Sequence, residues 1–189
     1  MTDQKEFSQL IPPHGGYREL QSYQMAEIVF DATALFCDRF IDRRSRTRDQ
    51  MVQAARSGKQ NIAEGSMASG TSKKTELKLI GVARASLEEL LLDFQDYLRQ
   101  QGLPLWGKNH EQARKVRVLA HEENRSYKTY KTNVEASPAE IAANTIICLI
   151  HQTNYLLDQQ LRALEKAFLE EGGFTEKLYR ARSQMRKKK

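Results

Sequence analysis

The sequence has few of the residues that cross-link or rigidify a chain. Its 189 residues include only two cysteines, four prolines and one tryptophan. Cys37 and Cys148 are far apart and have no Cys-x-x-Cys spacing, which argues against a metal site or a redox pair. Buried, reduced thiols are the simpler interpretation, and they are typical of a cytoplasmic protein.

Long apolar runs are also missing. No stretch is long enough to span a membrane, and the polar amino terminus, with Asp3, Lys5 and Glu6, lacks the pattern of a signal peptide. We therefore expect a cytoplasmic protein with one domain, or with one domain and an extension. The length is sufficient to bury a hydrophobic core without cross-links.

Motifs for catalysis and for cofactors are not found. No nucleophile stands beside a base, and no Glu stands three residues before a His, as in the di-metal sites of some helical bundles. The glycine-containing segment 65–70 precedes Lys73 and Lys74, but it follows a predicted helix rather than a strand, so it does not match a P-loop. A weak anion site there stays open. We expect no enzyme activity, no metal and no cofactor.

Apolar residues recur at helical spacing over most of the chain. After an irregular arm at 1–16, the pattern predicts four long helices at about 18–40, 48–64, 72–101 and 138–171. Ala55 and Gly58 share one face of the second helix, and their small size allows a partner helix to approach closely. Gly65 is expected to end the second helix in the left-handed conformation, and Gly172 and Gly173 are expected to end the fourth. The segment Ser137-Pro138-Ala139-Glu140 predicts a capping box, with Ser137 as the N-cap of the fourth helix.

The stretch 102–136 is too long to be a plain connection between helices. We expect it to contain helical structure and to pack on the bundle through Leu105 and Trp106. The fourth helix is apolar around most of its circumference between Ile141 and Leu157, and this surface must be covered by the insert or by another subunit. This large apolar surface favours a homo-oligomer.

One stripe of the fourth helix is polar. It carries Asn144, Cys148, His151 and Tyr155 at helical spacing. We expect a hydrogen-bonded seam inside an interface rather than a metal or acid–base site.

Positive charge is concentrated in two regions. The tail, residues 174–189, contains seven Lys or Arg residues and one Glu, a surplus of six that equals the net charge of the whole chain. An amphipathic basic helix is predicted there, and it suits either contact with polyanions or a solubilising end.

The other region is the turn after the first helix, together with the helices that follow. The candidate phosphate-binding residues are Arg43, Arg44, Arg46, Arg48, Arg56, Lys59, Lys73 and Lys74. The alternative is a solvated, salt-bridged helix end, because Asp38, Asp42 and Asp49 lie among the arginines.

Three sequence motifs carry a resemblance to a known family. They are Asn61-Ile62-Ala63-Glu64-Gly65, Ser72-Lys73-Lys74-x-Glu76-x-x-x-Ile80 and Ala85-Ser86-Leu87-x-Glu89-Leu90. Over roughly Tyr17 to Gln101 the chain resembles the four-helix-bundle family of intervening sequences in bacterial 23S ribosomal RNA genes. Ile80 stands where that pattern has leucine and keeps the position apolar. The accessory variability protein of diversity-generating retroelements is similar, and segment 141–182 resembles the longer branch with a four-helix-bundle suffix.

This resemblance implies an all-α, up-down four-helix bundle, here at 17–173. To that architecture the sequence adds an extra helical segment between helices 3 and 4 and a basic C-terminal helix. It also implies a ring-like homo-oligomer, with a pentamer favoured, nucleic-acid binding in some members and no known catalytic site. The predicted function is therefore a non-enzymatic oligomer that binds RNA or DNA through Arg and Lys patches. The alternative is a protein-interaction or structural module whose partner binds the region from Leu105 to Tyr130.

Overall fold

The structure is a computed structural model that describes residues 11–120, 122 and 126–187. These residues are mostly helical and include no strand, so the prediction of an all-α chain is confirmed. A short 3-10 helix at Tyr17–Glu19 precedes the α-helices. They are α1 (Gln21–Phe40), α2 (Arg46–Ala68), α3 (Lys73–Gln100), α4 (Glu111–Leu119), α5 (Tyr127–Glu135), α6 (Ala139–Glu171) and α7 (Phe174–Lys187).

The end of α2 differs from the prediction. The helix continues to Ala68, and Gly65 lies buried inside it without a positive φ. A Cβ atom at Gly65 would lie 3.4 Å from Cδ1 of Ile80 and 3.5 Å from the backbone oxygen of Glu76. The expectation that Gly65 ends the helix is therefore wrong, because the residue serves close packing of α2 on α3.

The start of α6 differs as well. Pro138 rather than Ser137 is the N-cap, and the Ser137 hydroxyl donates instead to the backbone oxygen of Thr132 at 3.1 Å. The predicted capping box is thus absent at this helix, because the Ser137 side chain bonds to the end of α5 instead. Gly172, with φ of 73°, ends α6 as expected.

Four long helices enclose the core. α1 packs on α2, α2 on α3, α3 on α6 and α6 on α1, which closes the circle. Phe36 lies inside it, with its ring centroid 5.0 Å from those of Phe94 and Tyr97. Complete burial of such a side chain contributes roughly 1.5–3 kcal/mol. The small residues predicted on one face of α2, Ala55 and Gly58, are buried against the core.

The insert covers the other side of α6. α4 and α5 both pack on α6, and α5 also packs on α1, burying Val116, Tyr130 and Val134. As a result, all nine residues from Ala142 to Ile150 are buried within one chain. The apolar surplus of α6 is therefore no argument for a second subunit, since the insert already removes that surface from water.

α7 stands apart from the rest of the described chain. None of its residues is buried, and no other helix packs extensively on it. Its link to α6 includes an ion pair of 2.9 Å between Lys177 and Glu171. Among the described residues, no helix is both long enough and apolar enough to cross a membrane.

Candidate nucleic-acid interface

Three arginines are exposed at one corner of the molecule, and we call Arg43, Arg44 and Arg46 the arginine corner. The turn that presents them is fixed by Asp42, whose Oδ1 accepts the backbone N–H of Arg44 at 2.7 Å. Ser45 then caps α2 by accepting the N–H of Thr47 at 3.2 Å. Within the described ranges, no carboxylate forms an ion pair with these three guanidinium groups. They are therefore available to an anionic partner.

Two neighbouring arginines are already engaged. Arg48, one of the predicted phosphate ligands, pairs with Asp38 and lies 3.7 Å from Asp49. The hydrogen bond to Asp38 raises the pKa of Arg48 above its usual value. Arg39 donates to the backbone oxygens of Val134 and, at 3.1 Å, Ser137, so it ties the end of α1 to the start of α6. Both side chains hold helix ends together.

Arg56 and Lys59 lie further along α2. Arg56 is exposed, about 15 Å from Arg46 along the helix. Lys59 turns toward α1, with its Nζ atom 4.4 Å from the ring centroid of Phe30. Its charge also acts on Asp31, whose pKa is nonetheless raised by burial and by Glu27. Lys59 thus faces α1, while Arg56 lies free on the outer surface.

Lys73 and Lys74 lie at the opposite end of α2 from the arginine corner. They begin α3, and α2 spans about 33 Å between the two ends. Lys73 pairs with the buried Glu76 at 3.1 Å, whereas Lys74 is exposed. The eight predicted residues therefore do not form a single patch.

The tail belongs to this second end. A hydrogen bond from Lys177 lowers the pKa of Glu171, and the charge of Lys73 lowers it further, which places the start of α3 near the end of α6. Beyond it, α7 adds exposed Arg180, Arg182, Arg186 and Lys187. The last two tail lysines, 188 and 189, lie outside the described residues. Positive charge is thus present at both ends of the long helices.

A polar cleft of about 420 Å³ adjoins the arginine corner between α2 and α3. Its floor includes Ser57 and Ser86, whose Oγ atoms are 3.0 Å apart. Asn61 donates to the backbone oxygen of Ser57 at 2.9 Å. Asp49 and Glu89 also line the cleft, and their charges oppose a phosphate there. The cleft, which Arg46 also lines, is therefore a poor site for an anion.

The cleft was not predicted from the sequence, although one face of α2 carries a pattern that indicates it. Gln50, Gln53 and Ser57 share one face of α2 at a spacing of three and four residues. The facing side of α3 could not be assigned without the packing.

The polar stripe of α6 has a different role from the one predicted. Asn144 accepts the backbone N–H of Trp106 at 2.8 Å and donates to the backbone oxygens of Pro104 and Glu140, each at 2.9 Å. It therefore anchors the insert inside one chain. Burial raises the pKa of Cys148 to about 11, against the lowering effect of Arg117, so this thiol is protonated at neutral pH and weakly nucleophilic.

Metal ligation finds no support in the described residues. No group of three His, Cys, Asp or Glu side chains converges there. His110 stacks on Trp106 with ring centroids 4.9 Å apart, and His151 is exposed on α6.

We also compared the chain with protein-family models, with curated proteins and with solved structures. No match was found in any of the three comparisons. The family recognised from the sequence motifs therefore stays a resemblance.

Proposed function

We propose that this protein is not an enzyme and binds RNA or DNA through phosphate contacts made by the arginine corner. The observation that carries the proposal is the difference between neighbours. Arg43, Arg44 and Arg46 are exposed and unpaired within the described chain, whereas Arg39 and Arg48 are engaged. A guanidinium group matches phosphate with two parallel hydrogen bonds. Because such contacts are made to the backbone, little base readout is expected.

We further propose that α1, α2, α3 and α6 form an up-down four-helix bundle with α4 and α5 as the insert. Antiparallel contacts support it. Ser22, at the start of α1, donates at 2.7 Å to Gln160, two thirds of the way along α6, whereas the end of α1 lies near the start of α6. In the same way, Arg84 of α3 contacts Asp158, and Glu88, one turn later, accepts from Asn154 at 3.3 Å.

The resemblance to the intervening-sequence family supports a homo-oligomeric ring, with a pentamer favoured, in the cytoplasm. The ring now rests on that resemblance alone, because α4 and α5 cover the apolar side of α6. A ring would repeat the arginine corner and raise avidity over that of one weak patch. Light scattering after size-exclusion chromatography tests this, and a monomer at every concentration would remove the ring from the proposal.

Fluorescence anisotropy tests nucleic-acid binding. The chain is titrated into labelled single-stranded RNA, single-stranded DNA and duplex DNA at several salt concentrations. Each phosphate contact contributes about 0.9 to the slope of log affinity against log salt for duplex DNA. The triple variant Arg43→Gln, Arg44→Gln, Arg46→Gln should therefore bind more weakly, with a slope shallower by about 2–3.

A charge-matched variant controls for the loss of net charge. Arg114→Gln, Lys128→Gln, Arg162→Gln removes three exposed cations from other parts of the chain. It should keep most of the slope. Equal losses in the two variants would show non-specific attraction by net charge, and no binding at low salt by the unmodified chain would refute the function.

A protein-interaction module is the second candidate. Trp106 is buried as expected, but the expectation that Leu105 packs on the bundle is wrong, since Leu105 is 52% exposed. Val118, also on the insert, is 67% exposed. Deleting the insert would uncover α6, so the suitable variant is Leu105→Ser, Val118→Ser. A pull-down that resists nuclease and is lost in this variant, but not in the arginine-corner variant, would favour a protein partner.

A further inference from the structure

A second cleft, of about 590 Å³, lies where the start of α1, the end of α4 and the middle of α6 meet. It lies beyond the end of α4 at Leu119, on the stretch of α6 that follows the buried residues 142–150. His151 and Tyr155, which follow on the same side of α6, are exposed and line the opening. The volume is in the range of pockets that hold small molecules, roughly 300–1,000 Å³.

The walls of this cleft are mainly apolar. Met25 of α1 and Leu156 of α6 line it together with the Cys148 thiol, which burial keeps protonated at neutral pH. Sites of this composition bind an apolar body and orient it with a few polar groups.

The polar groups of the cleft favour an anion. Arg117 is its charged residue, and the described lining residues include no Asp or Glu. Arg117 donates one N–H to the backbone oxygen of Lys108 at 2.6 Å, and no other acceptor for its five donors is found among the described residues. α1 begins beside the cleft at Gln21, and Leu20 provides no side-chain cap, so the first turn adds positive potential.

We propose that this cleft binds a small organic carboxylate with an apolar, aryl-containing body. The carboxylate pairs with the free N–H groups of Arg117 beside His151, and the apolar body lies between Met25 and Leu156. This site is separate from the arginine corner and does not depend on nucleic-acid binding.

Competition with a fluorescent probe tests the site. 1-Anilinonaphthalene-8-sulfonate, an aryl anion that fluoresces in apolar surroundings, is bound to the full chain and displaced with 4-phenylbutyrate or with the uncharged 4-phenylbutan-1-ol. In Arg117→Gln, 4-phenylbutyrate should compete about tenfold less well, since one charge-assisted contact is worth about 1.4 kcal/mol or more. The alcohol should compete equally with both proteins. Arg114→Gln, one turn earlier on α4 and outside the cleft, should match the unmodified chain.

A second variant covers the case in which Arg117→Gln disturbs folding through the Lys108 contact. Leu156→Trp fills the cleft from α6 and should abolish probe binding while thermal unfolding stays cooperative. A folded chain that does not bind the probe overturns the proposal. So does equal competition by 4-phenylbutyrate in Arg117→Gln and Arg114→Gln, or unchanged probe binding in Leu156→Trp.

Discussion

A single residue, Asn144, joins the insert to α6. Asn144 is 1% exposed, and its three hydrogen bonds satisfy the backbone of Trp106 and Pro104 where this segment meets the helix. A buried backbone group without a partner costs about 1–3 kcal/mol. Asn144 of the polar stripe therefore attaches the insert to α6.

Asn144→Ala should lower the free energy of unfolding by about 2–3 kcal/mol, because Trp106 N–H and the Pro104 oxygen lose their partner. Urea denaturation measures the loss. Trp106 is the single tryptophan of the chain, so its emission should also move to the red as its segment detaches. Asn109→Ala, an exposed position nearby, should stay within about 0.5 kcal/mol of the original stability. Unchanged emission and stability in Asn144→Ala would contradict this role.

Buried thiols make stability depend on alkaline pH. Burial raises the pKa of Cys37 from 9.0 to about 12, and the pKa of Tyr127 is likewise raised to about 12, mainly by burial. A group with a raised folded pKa keeps its proton in the folded state after the unfolded chain has lost it. Its stabilisation is complete below about pH 9 and is lost as pH rises toward 12.

Cys37→Ala should therefore become relatively more stable as pH rises. Between about pH 9 and 10.5, the thiol of the unmodified chain should cost about 2 kcal/mol of stability, at about 1.4 kcal/mol per pH unit. The variant loses packing at every pH but lacks this slope. Urea midpoints at pH 8 and 10.5 should show a narrowing gap between the two proteins, and a constant gap would argue against a raised pKa at Cys37.

At the scale of elements, the contact between α2 and α3 depends on a glycine. A Cβ atom at Gly58 would lie 2.7 Å from Cδ2 and 2.8 Å from Cγ of the buried Leu87. That separation is too short for carbon atoms in contact, so any larger residue forces the helices apart. The small face of α2 thus sets the distance between two long helices.

Two glycine variants separate this close approach from helix propensity. Gly81 lies within α3, and a Cβ there would meet nothing within 4 Å. Gly81→Ala should stabilise the protein by up to about 1 kcal/mol through helix propensity alone. Gly58→Ala should destabilise it by about 1–3 kcal/mol through overpacking, despite the same gain in propensity. Thermal or urea unfolding of both variants measures the difference, and equal shifts would mean that α2 moves away without cost.

Across the whole molecule, the segments that form the core are different from the segment that carries the surplus positive charge. The core is closed by α1, α2, α3 and α6 and by the insert, whereas α7 contributes charge and no buried residue. Two basic surfaces result, about 33 Å apart along α2, with the engaged Arg48 and Lys59 between them.

Removing residues 174–189 tests this separation. The truncation takes away the six surplus positive charges and brings the formal net charge from +6 to zero. The free energy of unfolding should change by less than about 0.5 kcal/mol, because no described residue of the helix is fully buried. Affinity for nucleic acid at low salt should fall if the tail attracts phosphate, and urea denaturation alongside anisotropy measures both effects. A loss of stability above about 1 kcal/mol would show that α7 packs on the rest of the chain.

Local patterns were sufficient to predict the helices. Periodic apolar residues located the long helices to within a few residues, and Gly172 marked the end of α6, because these signals act between residues close in sequence. The same patterns were wrong at Gly65 and Ser137. In both cases a contact with another helix, α3 or α5, replaced the local role of the residue.

By itself the sequence determined the helical class, the small-residue face of α2 and the positions of the basic residues, since each follows from composition or spacing along one helix. Only the tertiary structure decided that the insert covers α6, that Arg39 and Arg48 are engaged, and that Lys73 and Lys74 lie far from the arginine corner. It also revealed the cleft around Arg117. These features depend on which helices meet in space, and contacts between residues far apart in the chain leave no periodic signal in a single sequence.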